Sequence, residues 1–257
     1  MIKFQIFSDI HEEAYNDIGH LLRVGRINPI AKHAIVAGDI HSRFFEEELN
    51  YIAEKFETVI AIYGNHEWYR RDISWKHNPA KLAPNVKVLN PGTCVVDGVR
   101  IVGATLWTDF DNKDWFVVQS ANNGINDFRG FITVGDKNFK AHNAYDIHVT
   151  EKQFIKDTLE AWENDPECDK VIVVTHFVPS FNLIHPRWRQ HGGYLNSYFS
   201  ANCDDLFEVS KKVKAWVFGH THDGSETMIG DIQFVSNPYG YPREMTATKY
   251  QDKVIEV

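Results

Sequence analysis

Apolar runs in this 257-residue chain end again and again on small polar clusters. Residues 2–7 alternate and are rich in Ile and Phe, which predicts a strand. Ala34-Ile35-Val36-Ala37, Val59-Ile60-Ala61-Ile62-Tyr63, Val171-Ile172-Val173-Val174 and Ala215-Trp216-Val217-Phe218 are continuous apolar runs, the pattern of strands buried on both faces. Phe45, Leu49, Ile52 and Phe56 recur at three- and four-residue steps, with Glu46, Glu47, Glu48, Glu54 and Lys55 on the other faces. That spacing predicts an amphipathic helix over 43–57. A second helix is expected from about Glu151 to Trp162, opened by a Thr150–Gln153 capping box and buried through Ile155, Leu159 and Trp162. Asp204 or Asp205 is expected to cap a shorter helix through Val209.

Past residue 220 the pattern changes. Glu226 to Ile229, Ile232 to Val235, Met245 to Tyr250 and Val254 to Val257 read as short strands, separated by turn signals at Gly230-Asp231, Asn237-Pro238 and Gln251-Asp252. Strand–helix units early and strands late predict an α+β fold of two packed sheets with helices outside. The length suits one domain spanning 1–257. Residues 107–148 fit neither period and mix Asn, Asp and Gly with scattered aromatics; they read equally as a lid or substrate loop and as a surface insertion.

Composition narrows the function. Hydrophobic content of 43% with 24% charged residues is that of an ordinary soluble domain, and a net charge of -8 carries no basic footprint for nucleic acid. Cys94, Cys168 and Cys203 are few and far apart, against a disulfide framework or thiolate zinc site and in favour of a reducing, cytoplasmic location. The first strand reaches a polar cluster at once, leaving no room for a signal peptide, and no apolar run is long enough to span a bilayer. Nothing in the sequence sets an oligomeric state.

The clusters are Asp9-Ile10-His11, Gly38-Asp39-Ile40-His41, Gly64-Asn65-His66-Glu67, Thr175-His176 and Gly219-His220-Thr221-His222. In open sheets with helical crossovers, ligands bind beyond the carboxyl ends of the strands, and every cluster sits at such an end. Together they offer oxygen and nitrogen donors without sulfur, a set suited to two adjacent divalent ions. In extended backbone Asp9 and His11 would point the same way, as would His220 and His222. A carboxylate can bridge two metals, which singles out Asp39, with Gly38 permitting the turn that aims it. Asn65 offers a carbonyl oxygen. His66, the next residue, points elsewhere and suits a general acid, while Glu67 either supports its neighbour or starts a helix. His176 at the end of an apolar run would, alone, be a core histidine; the other clusters make it a ligand candidate. His41 is a candidate beside the metals or the substrate, and Arg43 could reach a phosphate.

The order D-x-H, G-D, G-N-H-[DE], lone His and G-H-x-H, running from Asp9 to His222, resembles the calcineurin-like metallophosphoesterase superfamily. Segments such as Asp127-Phe128-Arg129 and Asn237-Pro238-Tyr239-Gly240-Tyr241-Pro242 look like those of its small bacterial and phage members. The resemblance implies a four-layer α/β/β/α sandwich. It implies that Asp9, His11, Asp39 and His222 bind one metal and Asp39, Asn65, His176 and His220 the other, with His66 catalytic. Gly38-Asp39-Ile40-His41-Ser42-Arg43-Phe44 lacks the second Asp and last Gly of the protein-phosphatase motif, which weakens that branch. The implied reaction is attack of a metal-bridging hydroxide on a small phosphoester, either a mono- or a diester. The donor set favours manganese first, then iron, zinc, nickel or cobalt. Arg187-Trp188-Arg189 and Trp68-Tyr69-Arg70-Arg71 combine cations with aromatics, so a two-metal nuclease is the rival reading; solvated turns are the plainer one, with His185 and Arg187 the best phosphate-clamp candidates. A scaffold that has lost its chemistry ranks last, because every ligand and the catalytic His are present.

Overall fold

In the computed structural model, which describes residues 1–15, 17–191 and 193–257, two mixed sheets pack face to face. The first runs in the order Lys253–Glu256, Lys3–Phe7, His33–Val36, Thr58–Ala61, Val86–Val88, parallel except for its C-terminal edge strand. The second runs Ser225–Ile229, Ile232–Ser236, Val213–Phe218, Val171–Thr175, Val99–Ala104, Gly92–Val96, with a parallel centre and an antiparallel strand at each edge. A small third sheet joins Arg71–Asp72, Ile132–Val134 and Lys137–Asn138.

Alternation along each strand explains the layering. Phe4, Ile6, Ile35 and Ile60 meet Ile101, Ile172, Val174 and Val217 between the sheets. Their neighbours Phe7, Val36, Val59, Val102, Val173 and Trp216 face outward into clusters with the helices. Strands covered on both faces must be apolar at every position, so the parallel strands are continuous apolar runs. The architecture is the expected α/β/β/α sandwich.

Several boundaries move. The first long helix is Phe45–Ala53, ending before Phe56, which is buried from the following turn. The second is Ala141–Glu163, a full ten residues longer at its start than expected. Thr150 is therefore interior: its hydroxyl donates to the Asp146 carbonyl at 3.1 Å, and no capping box forms there. The start is set instead by Asn143, whose side-chain oxygen accepts the Lys140 N–H at 3.0 Å. Asp204–Leu206 is only a 3-10 turn. Met245–Lys249 is helical where a strand was expected, since it leaves the sheet edge to lie against the site described below. The hairpin strands Gly92–Val96 and Val99–Ala104 escaped the periodicity reading.

Residues 107–148 are folded, not irregular. Trp115–Gly124 is a helix capped by Asp114, whose carboxylate accepts the N–H groups of Phe116 and Val117 at 2.9 and 3.1 Å. Trp107, Phe110, Phe128 and Phe139 are fully buried and extend the outer core. Residues 110–113 turn left-handed, with φ between 51° and 60°.

Buried Glu151 on the long helix accepts the Leu106 N–H at 2.6 Å, and burial pushes its carboxyl up to about 8 from 4.5. A carboxyl raised in the folded state stabilises the fold fully below its unfolded value, and that contribution is lost as pH rises through the folded one. Stability should therefore fall between about pH 4.5 and 8, with one such group contributing about 1.4 kcal/mol per pH unit. Urea denaturation of Glu151→Gln across that window should show a shallower decline than the wild type; an unchanged slope would place the proton elsewhere.

Candidate metal centre

All five clusters lie past the carboxyl ends of parallel strands, on one edge of the sandwich. Asp9 follows Lys3–Phe7, Asp39 follows His33–Val36 and Asn65 follows Thr58–Ala61; His176 and His220 follow Val171–Thr175 and Val213–Phe218. The loops approach so closely that side chains are excluded. A Cβ on Gly38, at φ +86°, would lie 2.5 Å from the Gly64 nitrogen and 2.7 Å from His176 Nδ1. One on Gly64 would lie 2.1 Å from Asp39 Oδ1.

Convergence is not achieved by extended backbone, as the two-residue spacing suggested. Asp9, His11, Asp39, His220 and His222 all have positive φ, from 44° to 74°. Left-handed turns curl the side chains back over the strand ends. Non-glycine residues in that region cost about 1–2 kcal/mol each, and such strain collects at functional sites.

Two groups form, each with its donor atoms within 4.8 Å of one another: Asp9, His11 and His222, and Asp39, His176 and His220. Asp39 stands between them, its Oδ2 3.4 Å from His176 Nε2 and 3.6 Å from His11 Nε2. Asn65 Oδ1 lies 3.2 Å from His176 Nε2. His66 is also near, forming a third such group with His11 and Asp39.

Hydrogen bonds fix which nitrogen faces inward. His176 Nδ1 is 2.8 Å from the Ala37 carbonyl, which can only accept, so in the neutral ring Nε2 carries the lone pair. Glu13 Oε1 sits 3.1 Å from the Nδ1 atoms of both His11 and His66. Glu244 Oε2 is 2.6 Å from His222 Nδ1. The inward atoms then crowd one another: His11 and His222 Nε2 at 3.0 Å, His176 Nε2 and His220 Nδ1 at 3.2 Å. Lone pairs and carboxylates facing at these distances call for positive charge between them. The His220 Nε2 atom is buried and without a hydrogen-bond partner.

The titration behaviour agrees. Burial works against charge on Asp9, but the hydrogen bond and charge of His222 prevail and hold it down at about 2. Burial likewise opposes charge on Asp39, yet the surrounding imidazoles, His176 foremost, hold it well below the usual carboxylate range. Burial lowers and Asp39 raises His176, which ends at about 9; burial lowers and Asp9 and Glu244 raise His222, to about 10. His220, by contrast, is driven well down by burial and by His176. The pocket draws in cationic charge.

Other sequence candidates lie further out. His41 Nδ1 accepts the N–H groups of Arg43 and Phe44 at 3.0 and 3.3 Å, at the start of the Phe45–Ala53 helix. His41 and Arg43 line a neighbouring cleft that shares His66 with the main one. His185 Nδ1 accepts the Arg187 N–H at 3.3 Å and does not line the main cleft; Arg187 does, paired with Asp223 at 2.8 Å. Glu67 neither supports His66 nor starts a long helix: its carboxylate accepts the N–H groups of Gly64, Ile40, Asp39 and His41 at 2.5–3.3 Å. Four supporting residues carried no role from their sequence position: Glu13, Asp127, Tyr241 and Glu244. Asp127 is buried and accepts from Asn65 Nδ2 at 3.0 Å, Tyr69 at 2.8 Å and Tyr198 at 2.5 Å. Tyr241 stacks on His11, ring centroids 4.2 Å apart, with its hydroxyl 3.2 Å from His66 Nε2. Only the GNH and DxH motifs hinted at such partners, by implying that their imidazoles must be oriented.

A family model described as calcineurin-like phosphoesterase matches residues 2–224, and the chain belongs to that family. It is a metallophosphoesterase, a hydrolase of phosphoester bonds, and the family implies divalent metal ions that the oxygen and nitrogen donors above fit. An uncharacterized protein of Acanthamoeba polyphaga mimivirus is 24% identical over 243 residues, 89% of this chain and 81% of that one. Among solved structures, the phosphopantetheinyl hydrolase of Mycobacterium tuberculosis has a TM-score of 0.68 at 19% identity, covering 99% of this chain and 95% of its own. A dimetal phosphatase from Danio rerio has a TM-score of 0.49 at 14% identity, covering 96% and 90%. The likeness to the Mycobacterium tuberculosis structure describes the fold.

Asp127 holds the Asn65 amide nitrogen and so turns its carbonyl toward His176; removing it should loosen that oxygen. Asp127→Ala is expected to weaken divalent-metal affinity about 10- to 100-fold and to destabilise the fold by about 1–3 kcal/mol. Calorimetric metal titration with a parallel thermal melt would show both; unchanged affinity would contradict the orienting role.

Proposed function

We propose that the chain hydrolyses a small organic phosphoester at a two-metal centre, with Asp9, His11, Asp39 and His222 holding one ion and Asp39, Asn65, His176 and His220 the other. The observation that carries this is the Asp39 carboxylate, placed between the two imidazole groups by the Gly38 and Gly64 loops. Bound there, two divalent cations would supply an activated water and neutralise charge on the phosphoryl oxygens. Manganese is the first choice for this sulfur-free set, with iron, zinc, nickel or cobalt as other fits.

The chain's own groups do the rest. Glu13 holds His66 Nδ1, which directs Nε2 to the cleft, where it can hold a phosphoryl oxygen or give a proton to the departing alcohol. The backbone N–H of His66 is tied to Asp39 Oδ1 at 2.9 Å, so acid and bridge are set by one contact. Its neighbour Tyr69 stacks on the His66 ring at 4.0 Å and fixes its plane.

A small substrate is favoured over nucleic acid. Among the described residues lining the main cleft, Arg187 is the sole Lys or Arg, and it is paired with Asp223. Arg71, from the other basic–aromatic run, lies over the Trp75 ring at 3.7 Å and donates to backbone carbonyls, a structural use. The net charge of -8 points the same way. We read residues 1–257 as one domain, with the Gly124–Asp127 corner of the 107–148 stretch as part of the substrate wall. The three free cysteines support a reducing, cytoplasmic setting.

His66→Ala should lower kcat on 4-nitrophenyl esters by about 100-fold or more while the protein keeps both metal ions by elemental analysis. Loss of one ion with His66 would make it a ligand. A phosphopantetheinyl ester and single-stranded DNA belong in the same assay; rapid DNA cleavage would favour the nuclease.

A further inference from the structure

Tyr241 reaches His66 from outside the shared motifs. The family model matches residues 2–224, and Tyr241 lies beyond it, in the segment that leaves the second sheet after Ile232–Ser236. That segment crosses to the end of the Lys3–Phe7 strand and is fastened there. The Ser8 N–H donates to the Asn237 carbonyl at 3.2 Å, and the N–H groups of Tyr239 and Gly240 donate to the Ser8 and Asp9 carbonyls, both at 2.9 Å. The Tyr241 N–H donates to Glu244 Oε2 at 3.0 Å, the oxygen that also holds His222 Nδ1. Three successive backbone donors are therefore spent on fixing where the Tyr241 side chain starts.

The ring is wedged among imidazoles. It stacks on His11 with centroids 4.2 Å apart and meets His222 edge-on at 5.1 Å. Its hydroxyl lies 3.2 Å from His66 Nε2, while Glu13 holds the other nitrogen of that ring at 3.1 Å. Glu13, His66 and Tyr241 form one chain of hydrogen bonds, and His66 and Tyr241 stand together in the wall between the two clefts. A phenolic oxygen both accepts and donates. When the His66 ring is protonated, its Nε2–H donates to that oxygen and leaves the phenolic O–H free to turn into the cleft. When the ring is neutral, with Nδ1–H on Glu13, the O–H donates back to Nε2. One contact serves the imidazole both before and after it has given up a proton.

Resting on the phosphoester-hydrolase reading of this site, we propose that Tyr241 is a second catalytic residue, the one that hands the proton of His66 to the departing oxygen. As water adds its oxygen to phosphorus and the ester bond breaks, the phenolic proton moves to the leaving oxygen and the Nε2 proton of His66 moves to the phenolic oxygen. The alcohol leaves neutral, Tyr241 ends protonated and His66 ends neutral. The proton released by the attacking water recharges the imidazole through solvent. Such a relay matters most when the departing alcohol is basic, because a weakly basic one leaves without a proton.

Tyr241→Phe keeps the ring and removes the hydroxyl, at a residue 37% exposed. The test compares phenyl and 4-nitrophenyl phosphates, each as the monoester and as the methyl diester, on the manganese-loaded full chain; phenol is the more basic leaving group. On the esters that the wild type turns over, the variant should lose at least about tenfold more kcat with phenyl than with 4-nitrophenyl, with both metal ions retained by elemental analysis. In a His66→Ala background the same substitution should move the phenyl-to-4-nitrophenyl ratio by less than about twofold, since groups that act in series lose their effect together. Equal losses on the two leaving groups, no loss, an ion lost with the hydroxyl, or an effect that persists in full without His66 overturns the relay and leaves the hydrolase reading in place. Wild-type turnover of none of the four esters overturns both.

Discussion

Glu67 is the fastener of the site. Its buried carboxylate gathers N–H groups from Gly64 on its own loop and from Asp39, Ile40 and His41 on the neighbouring one. Two strand ends that share a sheet are thereby locked together past the point where their ladder stops. Burial and the charge of Asp39 push Glu67 up to about 7, against the pull of those donors. Asp39 then receives the His66 N–H, and the His176 ring closes over Gly38 and Gly64 from the second sheet. Asp39, His66 and His176 owe their relative positions to this one carboxylate and to two glycines that leave no room for a side chain.

Holding charge together in this way is expensive. Five of the candidate ligands occupy left-handed backbone, and their donor atoms face one another at 3.0–3.6 Å. The fold offsets this with a sandwich whose strands are apolar on both faces and with an outer ring of orienting groups: Glu13, Asp127, Glu244 and the Ala37 carbonyl. Each of these fixes a tautomer or an amide orientation, so that in the neutral rings and the Asn65 amide the inward atom carries a lone pair. Cations are the natural occupants of such a cage, which fits membership of a metallophosphoesterase family.

Much of this could be read from the sequence, for a physical reason. Doubly buried parallel strands must be apolar throughout, and the functional turns must follow them, so runs such as Val171–Thr175 followed by His176 announce both strand and site. What stayed hidden depends on distant packing. Asp127 lies 62 residues from the Asn65 it orients, and Glu13 meets His66 across 53 residues of chain. Met245–Lys249 carries a β-branched, alternating pattern yet is helical, because it packs along the cleft and not on a sheet edge. The D-x-H and H-x-H spacings led to the right residues through the wrong backbone: positive φ, not extended alternation, brings the side chains together. Substrate selection was the least legible part, since its walls come from separate segments that share no period.

The central claim is that Asp39 bridges two metal ions. Crystals of the full chain soaked in manganese and measured at the manganese edge test it directly. The account predicts two anomalous peaks about 3.5–4 Å apart, both in contact with Asp39, one beside Asp9, His11 and His222 and the other beside Asn65, His176 and His220. A single peak, or two peaks that do not share Asp39, would contradict it.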